Sequence, residues 1–216
     1  MLRSLLYKEF RLTAHPITYI FLLCGAMVMI PSYPYYVAYL YVCLGLFFSF
    51  LNGREQRDLY YCAVLPVTKR AIVEAKCLFC VLVELTSQLL TVPWALLSAL
   101  IGLEGGNAAG IEPNPAFFGL SLLMFGIFNR LFLPGFFKTG YKLGIPLMLG
   151  LTAITLYIGA AETLTHLPVT GTFLSGIGAA TWGRQWPVLL GGIGLYGLLT
   201  WWAMHISINR FECVDL

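Results

Sequence analysis

Residues 52–76 read NGREQRDLYYCAVLPVTKRAIVEAK and hold eight of the chain's 23 charged side chains, between two long apolar stretches. Ionised groups do not stay in hydrocarbon without partners, so this segment belongs in water or at the headgroup level, with a membrane span on either side. Composition points the same way: 59% of the 216 residues are hydrophobic and 11% charged, where soluble domains carry roughly 25% charged residues. The mean hydropathy is +0.80. The fold class expected is an all-α integral membrane protein.

A span needs about 20 predominantly apolar residues to cross roughly 30 Å of hydrocarbon. Six transmembrane helices are predicted, at residues 16–31, 34–52, 72–102, 115–134, 143–161 and 187–206. They form a single domain over residues 1–216, with an amphipathic interfacial helix at 1–15, a charged segment at 53–70 and a mixed external segment at 162–186. The first span follows a basic start as a signal peptide would, but PSYPYY stands where small residues would be needed for cleavage. It is read as uncleaved, recruiting part of 13–16 to reach full length.

The positive-inside rule sets the orientation. With the N-terminus inside, Arg3, Lys8, Arg11, Arg54, Arg57, Lys69, Arg70, Lys76, Arg130, Lys138, Lys142 and Arg210 fall on the cytoplasmic side or at that end of a span. Arg184 alone falls outside, so both termini are expected in the cytoplasm. The net charge of +3 reflects this sidedness, and a nucleic-acid partner has no support.

On a helical wheel of residues 1–15, Leu2, Leu5, Leu6, Phe10 and Leu12 share one side, with Ser4, Lys8 and Arg11 on the other. Glu9 falls within the apolar arc. Two readings fit: an ion pair at the headgroups, or a docking contact to a partner subunit. Further along, the third apolar segment exceeds what the bilayer requires, and its first turns are expected to project into the cytoplasm. Pro134 and Gly135 are expected to interrupt the fourth stretch. Gly191, Gly194 and Gly197 would permit close helix approach in the last.

Two ionisable residues stand out by depth. Glu84 lies well inside the third span, followed on one helical face by Gln88 and Thr91, and Arg130 lies near the inner end of the fourth. An intramembrane carboxylate faces a bundle interior or a watery path. Either Glu84 and Arg130 pair, within a subunit or across a dimer, and bias the opening of a cavity, or they form a static buried pair, or Glu84 reaches inward to the headgroups.

Enzyme chemistry finds little foothold. The chain has no GxxxxGK[ST] loop for nucleotide phosphates, no HExxH and no GxSxG, and His15, His166 and His205 are scattered. Cys77 and Cys80 form a CxxC inside a span without a second pair, which reads as helix packing. No catalytic residue, metal site or cofactor site is assigned. Within the opening segment, REQRD is a polar turn or short helix start, LYYCAVLP an apolar patch able to lie on a surface, and VTKR the entry to the third span. Apolar knobs flanked by both signs of charge suit a protein groove.

At these residues the chain resembles the small six-span permeases of the bacterial ATP-binding-cassette type-2 exporter families. The resemblance rests on KEF at Lys8–Phe10, REQRDLYYCAVLPVTKRAIVEAK at 54–76 and LPGFFKTGYK at 133–142. It implies a permease subunit in the bacterial plasma membrane, paired with a second permease chain and driven by a separate cytosolic ATPase that binds ATP and Mg. It also implies that Arg54, Glu55, Arg57, Asp58, Leu59, Tyr60, Leu65 and Pro66 couple to that ATPase, and that the N-terminal helix with Lys8, Glu9 and Arg11 is the connecting helix. The cargo expected is an amphipathic peptide, lipid or drug. The alternative is a non-transporting immunity, regulatory or scaffold protein that holds a cytosolic partner.

Overall fold

The computed structural model describes residues 2–30, 33–101, 110–167, 174, 176 and 179–214. Helix α1 (Leu2–Lys8) runs into a π-helical turn at Glu9–Thr13. His15 is extended, the bias of any residue before proline, and its side chain caps the next helix by accepting from the Ile17 N–H at 3.2 Å. The chain turns through 94° here. Helix α2 (Pro16–Leu22) then continues as a 3-10 helix over Leu23–Met29. Two seven-residue pieces, one rising 1.5 Å and the other 2.0 Å per residue, reach about 24 Å. The expectation that part of 13–16 lengthens the first span is therefore corrected for residues 13–15. Only Pro16 joins the span, residues 13–15 form its corner, and tighter winding supplies length instead.

Helix α3 (Tyr36–Glu55) is followed by a two-residue turn and a short helix, α4 (Asp58–Val64). Helix α5 (Lys69–Leu100) has 32 residues, about 48 Å, and starts where Thr68 accepts from the Ala71 N–H. Asn114 caps α6 (Pro115–Phe137) in the same way, with proline at the first helical position. Helices α7 (Gly144–His166) and α8 (Ala179–Glu212) complete the bundle. No strand occurs among the described residues. Five helices, α3 and α5 to α8, are long and apolar enough to cross a membrane, and the bent N-terminal pair makes a sixth if taken as one span.

Two sequence expectations about helix breaks and contacts are overturned. Helix α6 runs through Pro134 and Gly135 to Phe137. Proline there frees only a carbonyl one turn back, and the Arg210 guanidinium donates to the Pro134 carbonyl at 2.9 Å. Close approach in the last helix is made by Gly192, not by Gly191, Gly194 or Gly197, which face open space. Any Cβ on Gly192 would run into the Gly119 backbone, and one on Gly119 would come within 2.7 Å of Leu189 Cα. The small residues that matter lie one position off the sequence stripe.

Helix α6 is the central element. Two-thirds (67%) of its apolar window is buried, against 22% for α7 and α8. Aromatic rings fill its surroundings: Phe117 packs on Tyr36 and Tyr39, and Phe50 meets Phe132 and Phe136 edge-on at 5.2 and 5.0 Å. One end of the bundle gathers the last turns of α3, α6 and α8 and the first turns of α5 and α7. Lys69 there donates to the Glu212 and Val214 carbonyls, and Gly135 abuts Pro146. Of the expected external segment, 162–166 belong to α7, while 168–173, 175, 177 and 178 lie outside the described residues.

Candidate functional site

The basic end of the bundle holds a closed ring of four charges. Lys8 ends α1, Glu9 opens the π turn, Asp58 opens α4 and Lys76 lies two turns into α5. Lys8 Nζ lies 2.8 Å from Glu9 Oε1 and 2.6 Å from Asp58 Oδ1, and Lys76 Nζ lies 2.9 Å from Glu9 Oε2 and 2.8 Å from Asp58 Oδ2. Each carboxylate thus bridges both ammonium groups, and the net charge is zero. Glu9, Lys76 and Asp58 are only 1%, 3% and 8% exposed, so the ring is an internal fastener of three elements rather than a surface network.

Local chemistry explains the placement. The π turn carries an extra residue per turn relative to the α-helix, and Glu9 within it points into the protein. Gly53 lets Thr13 approach, since a Cβ there would lie 2.7 Å from Thr13 Cγ2. Lys8 also donates to the Cys62 thiol at 3.2 Å, and the Phe50 ring centroid is 5.6 Å from Lys76 Nζ. Burial works against ionisation of Asp58, but Lys76 and Lys8 outweigh it and hold the carboxyl below its ordinary range. For Lys8, burial again opposes charge, and Glu9 and Asp58 outweigh it, raising the ammonium above its ordinary value.

The ring divides α4 into two faces. Asp58, Leu59 and Cys62 point inward. Tyr60, Tyr61 and Val64 point outward, 51%, 64% and 87% exposed, with Leu65 and Pro66 following. Arg54, Glu55 and Arg57 are exposed beside them, and Arg57 enters the turn in the left-handed region at φ 53°. A solvent-facing apolar patch, rimmed by both signs of charge, is thus held by a buried lock.

A second polar constellation lies inside the bundle. Glu84 is wholly buried, and its Oε2 accepts from Asn129 Nδ2 at 2.9 Å and from the Tyr196 hydroxyl at 2.7 Å. Asn129 Nδ2 also reaches Thr200 Oγ1 at 3.3 Å. One turn on, Gln88 accepts from the Tyr39 hydroxyl and donates to Ser121. Arg130 is directed elsewhere, its guanidinium stacked 4.3 Å from the Trp202 ring. One residue along a helix is about 100° of rotation, so with Asn129 facing Glu84 its neighbour cannot. No ion pair joins Glu84 to Arg130 among the described residues.

A family of ABC-2 transporter proteins matches residues 4–212, almost the whole chain and every element described above. The chain belongs to that family. It is thus a multi-pass membrane protein of an ABC transporter, of the permease type that associates with an ATPase subunit. No curated protein and no solved structure matches it.

In this ABC-2 transporter protein, the segment singled out from the sequence is split. Arg54, Glu55, Arg57, Tyr60, Leu65 and Pro66 lie on the surface, while Asp58 and Leu59 are inside. Asp58 is therefore a strut of the segment, not part of its outer face. Lys8 and Glu9 are in the same ring, and Arg11 is exposed. Glu9, read from the sequence either as an ion pair at the headgroup level or as a docking contact, is paired in the structure with Lys8 and Lys76 of its own chain. Tyr61 and Val64 lie in the patch read from the sequence but were not singled out as site residues, and the partners of Lys76 were not foreseen. The signal for Lys76 was present: Glu9 in an apolar arc and a lysine beyond the first turn of α5 are misplaced charges of opposite sign.

Proposed function

We propose that this chain is the permease subunit of an ATP-driven exporter in a bacterial plasma membrane, working as a dimer. Its N- and C-termini lie in the cytoplasm, and a separate cytosolic ATPase binds ATP and Mg and hydrolyses the nucleotide. The observation that carries the reading is the exposed Tyr60, Tyr61 and Val64 face of α4, anchored to α1 and α5 through the buried ring. A patch that is apolar outside and fastened inside suits the transmission of force from a docked partner.

When two ATPase subunits close on ATP, a push on α4 passes through Asp58 to Lys8 and Lys76 and so into α1 and the 32-residue α5. Helices packed as tightly as α6 and α8 move as rigid bodies, and the cavity between two permeases changes the side it faces. The cargo is amphipathic. The seam between α5 and α8, where Gly197 is open, is the wall we assign to the pathway.

The test is co-purification with the candidate ATPase, comparing wild type with a Glu55→Ala, Tyr60→Ala, Leu65→Ala variant at equal membrane level. All three side chains are exposed, so the fold is left intact. Loss of the ATPase from the variant alone supports coupling through α4. Equal retention removes that assignment, and absence of the ATPase from wild type leaves the scaffold reading in its place.

A further inference from the structure

Helices α6 and α8 run side by side in the same direction. Gly119 meets Gly192 towards one end, and at the other the Phe137 and Phe211 rings lie 5.4 Å apart. Arg130 of α6 and Trp202 of α8 therefore stand at one level, about 10 Å inside the Phe137 end at 1.5 Å per residue. The Arg130 guanidinium reaches sideways onto the Trp202 ring, 4.3 Å from its centroid, instead of running along the helix towards that end. One turn nearer the end, Arg210 reaches back from α8 and donates to the Pro134 carbonyl of α6 at 2.9 Å. Two guanidinium groups thus bridge one seam a single turn apart.

Neither is neutralised. No carboxylate pairs with Arg130 or Arg210 among the described residues, and the shielded Nε of Arg130 has no acceptor there. Glu84 lies off to the side, against Asn129, which stands about 100° round α6 from Arg130. A buried carboxyl escapes such a position by taking up a proton, whereas an arginine keeps its charge in a protein. The charge therefore persists at this depth and calls for an anion. Stacking occupies the flat face of the guanidinium and leaves its N–H edge able to grip two oxygens of one acceptor.

The surroundings select the anion. Trp202, Leu198 and Leu195 are all exposed and follow one another at helical spacing, forming an apolar stripe on α8 that leads away from the Phe137 end. The stripe belongs to a membrane-spanning helix, so hydrocarbon covers it. A free phosphate ion would leave water to reach Arg130 and gain nothing from the stripe, while a phospholipid brings phosphate and hydrocarbon together. Arg210 stands at the mouth of the seam, where the ammonium of a zwitterionic head would lie, and disfavours it.

We infer that the α6–α8 seam binds one anionic phospholipid of the leaflet at that end of the bundle. Its phosphate is held by Arg130, its head lies at Arg210, and an acyl chain follows Trp202, Leu198 and Leu195. The site requires only that these helices span a bilayer, so it stands apart from transport and from coupling to an ATPase.

The experiment is native mass spectrometry of the full chain in non-ionic detergent, titrated with dioleoylphosphatidylglycerol or with dioleoylphosphatidylcholine. Wild type is expected to bind one phosphatidylglycerol about tenfold or more tightly than phosphatidylcholine. Arg130→Gln should weaken phosphatidylglycerol about tenfold and leave phosphatidylcholine unchanged. Arg11→Gln removes the same charge from an exposed position elsewhere and should stay within about twofold of wild type. Trp202→Leu, which keeps the exposed surface apolar and takes away the platform under Arg130, is the second variant, and should cost about threefold or more should Arg130→Gln fail to fold. Absence of a phosphatidylglycerol preference in wild type, or equal losses in Arg130→Gln and Arg11→Gln, overturns the inference. Displacement of the lipid by water-soluble glycerol phosphate would also overturn it, by showing a site for free phosphate.

Discussion

Asp58 shows how much one residue can hold. It neutralises Lys8 and Lys76 at once, and removing one member of a buried charge network costs about 3–5 kcal/mol. Asp58→Asn is expected to lower stability by that amount in thermal unfolding of the detergent-solubilised protein. Lys8→Met combined with Asp58→Asn leaves the Glu9–Lys76 pair balanced and should recover a large part of the loss. A single variant within about 0.5 kcal/mol of wild type would show the ring to be incidental. The ring also predicts a pH profile. Asp58 lies below its ordinary 3.8, so its contribution is full above about pH 4 and is lost as pH falls through its folded value. Lys8 lies above its ordinary 10.5, so its contribution is full below that pH and is lost as pH rises further. Stability should form a plateau between these limits, and Asp58→Asn should lack the Asp58 contribution to the acid limb.

Helices α6 and α8 meet through glycine. A methyl group on Gly192 collides with the Gly119 backbone, which cannot yield as a side-chain tip can. Gly192→Ala is expected to cost about 1–3 kcal/mol by overpacking. Gly194→Ala faces open space and should be neutral, or stabilising by up to about 1 kcal/mol from helix propensity. Thermal stability of the two variants side by side checks the assignment, and equal behaviour would refute it. The sequence stripe at every third glycine did not reveal this, because periodicity marks a face without saying which neighbour arrives there. Helices also outrun the spans they contain. The span expected at 187–206 lies within α8, which covers Ala179–Glu212, since backbone hydrogen bonds carry a helix past the point where hydrocarbon ends.

Across the whole molecule, the lysines and arginines other than Arg184 are assigned to one side by the sequence, which underlies the expected orientation. Cys213 is exposed on that side, whereas Cys43, Cys62, Cys77 and Cys80 are buried. A membrane-impermeant maleimide should therefore label Cys213 in inside-out vesicles and spare it in intact cells. Labelling in intact cells would reverse the topology and place α4 on the wrong face for a cytosolic ATPase.

Hydropathy, charge sidedness and the segment at 52–76 determined the class, the spans and the exposed patch, because the cost of placing charge in hydrocarbon depends on composition along the chain and needs no partner to be known. The ring could not be read in this way. Its members stand 50 and 67 positions apart, and only the folded chain decides that Lys8 meets Asp58 and that Lys76 meets Glu9. The same holds for Glu84, whose depth was plain from its place in an apolar run. Its partners, Asn129 and Tyr196 rather than Arg130, were fixed by the rotation of α6 and α8 about their axes, which side-chain packing sets.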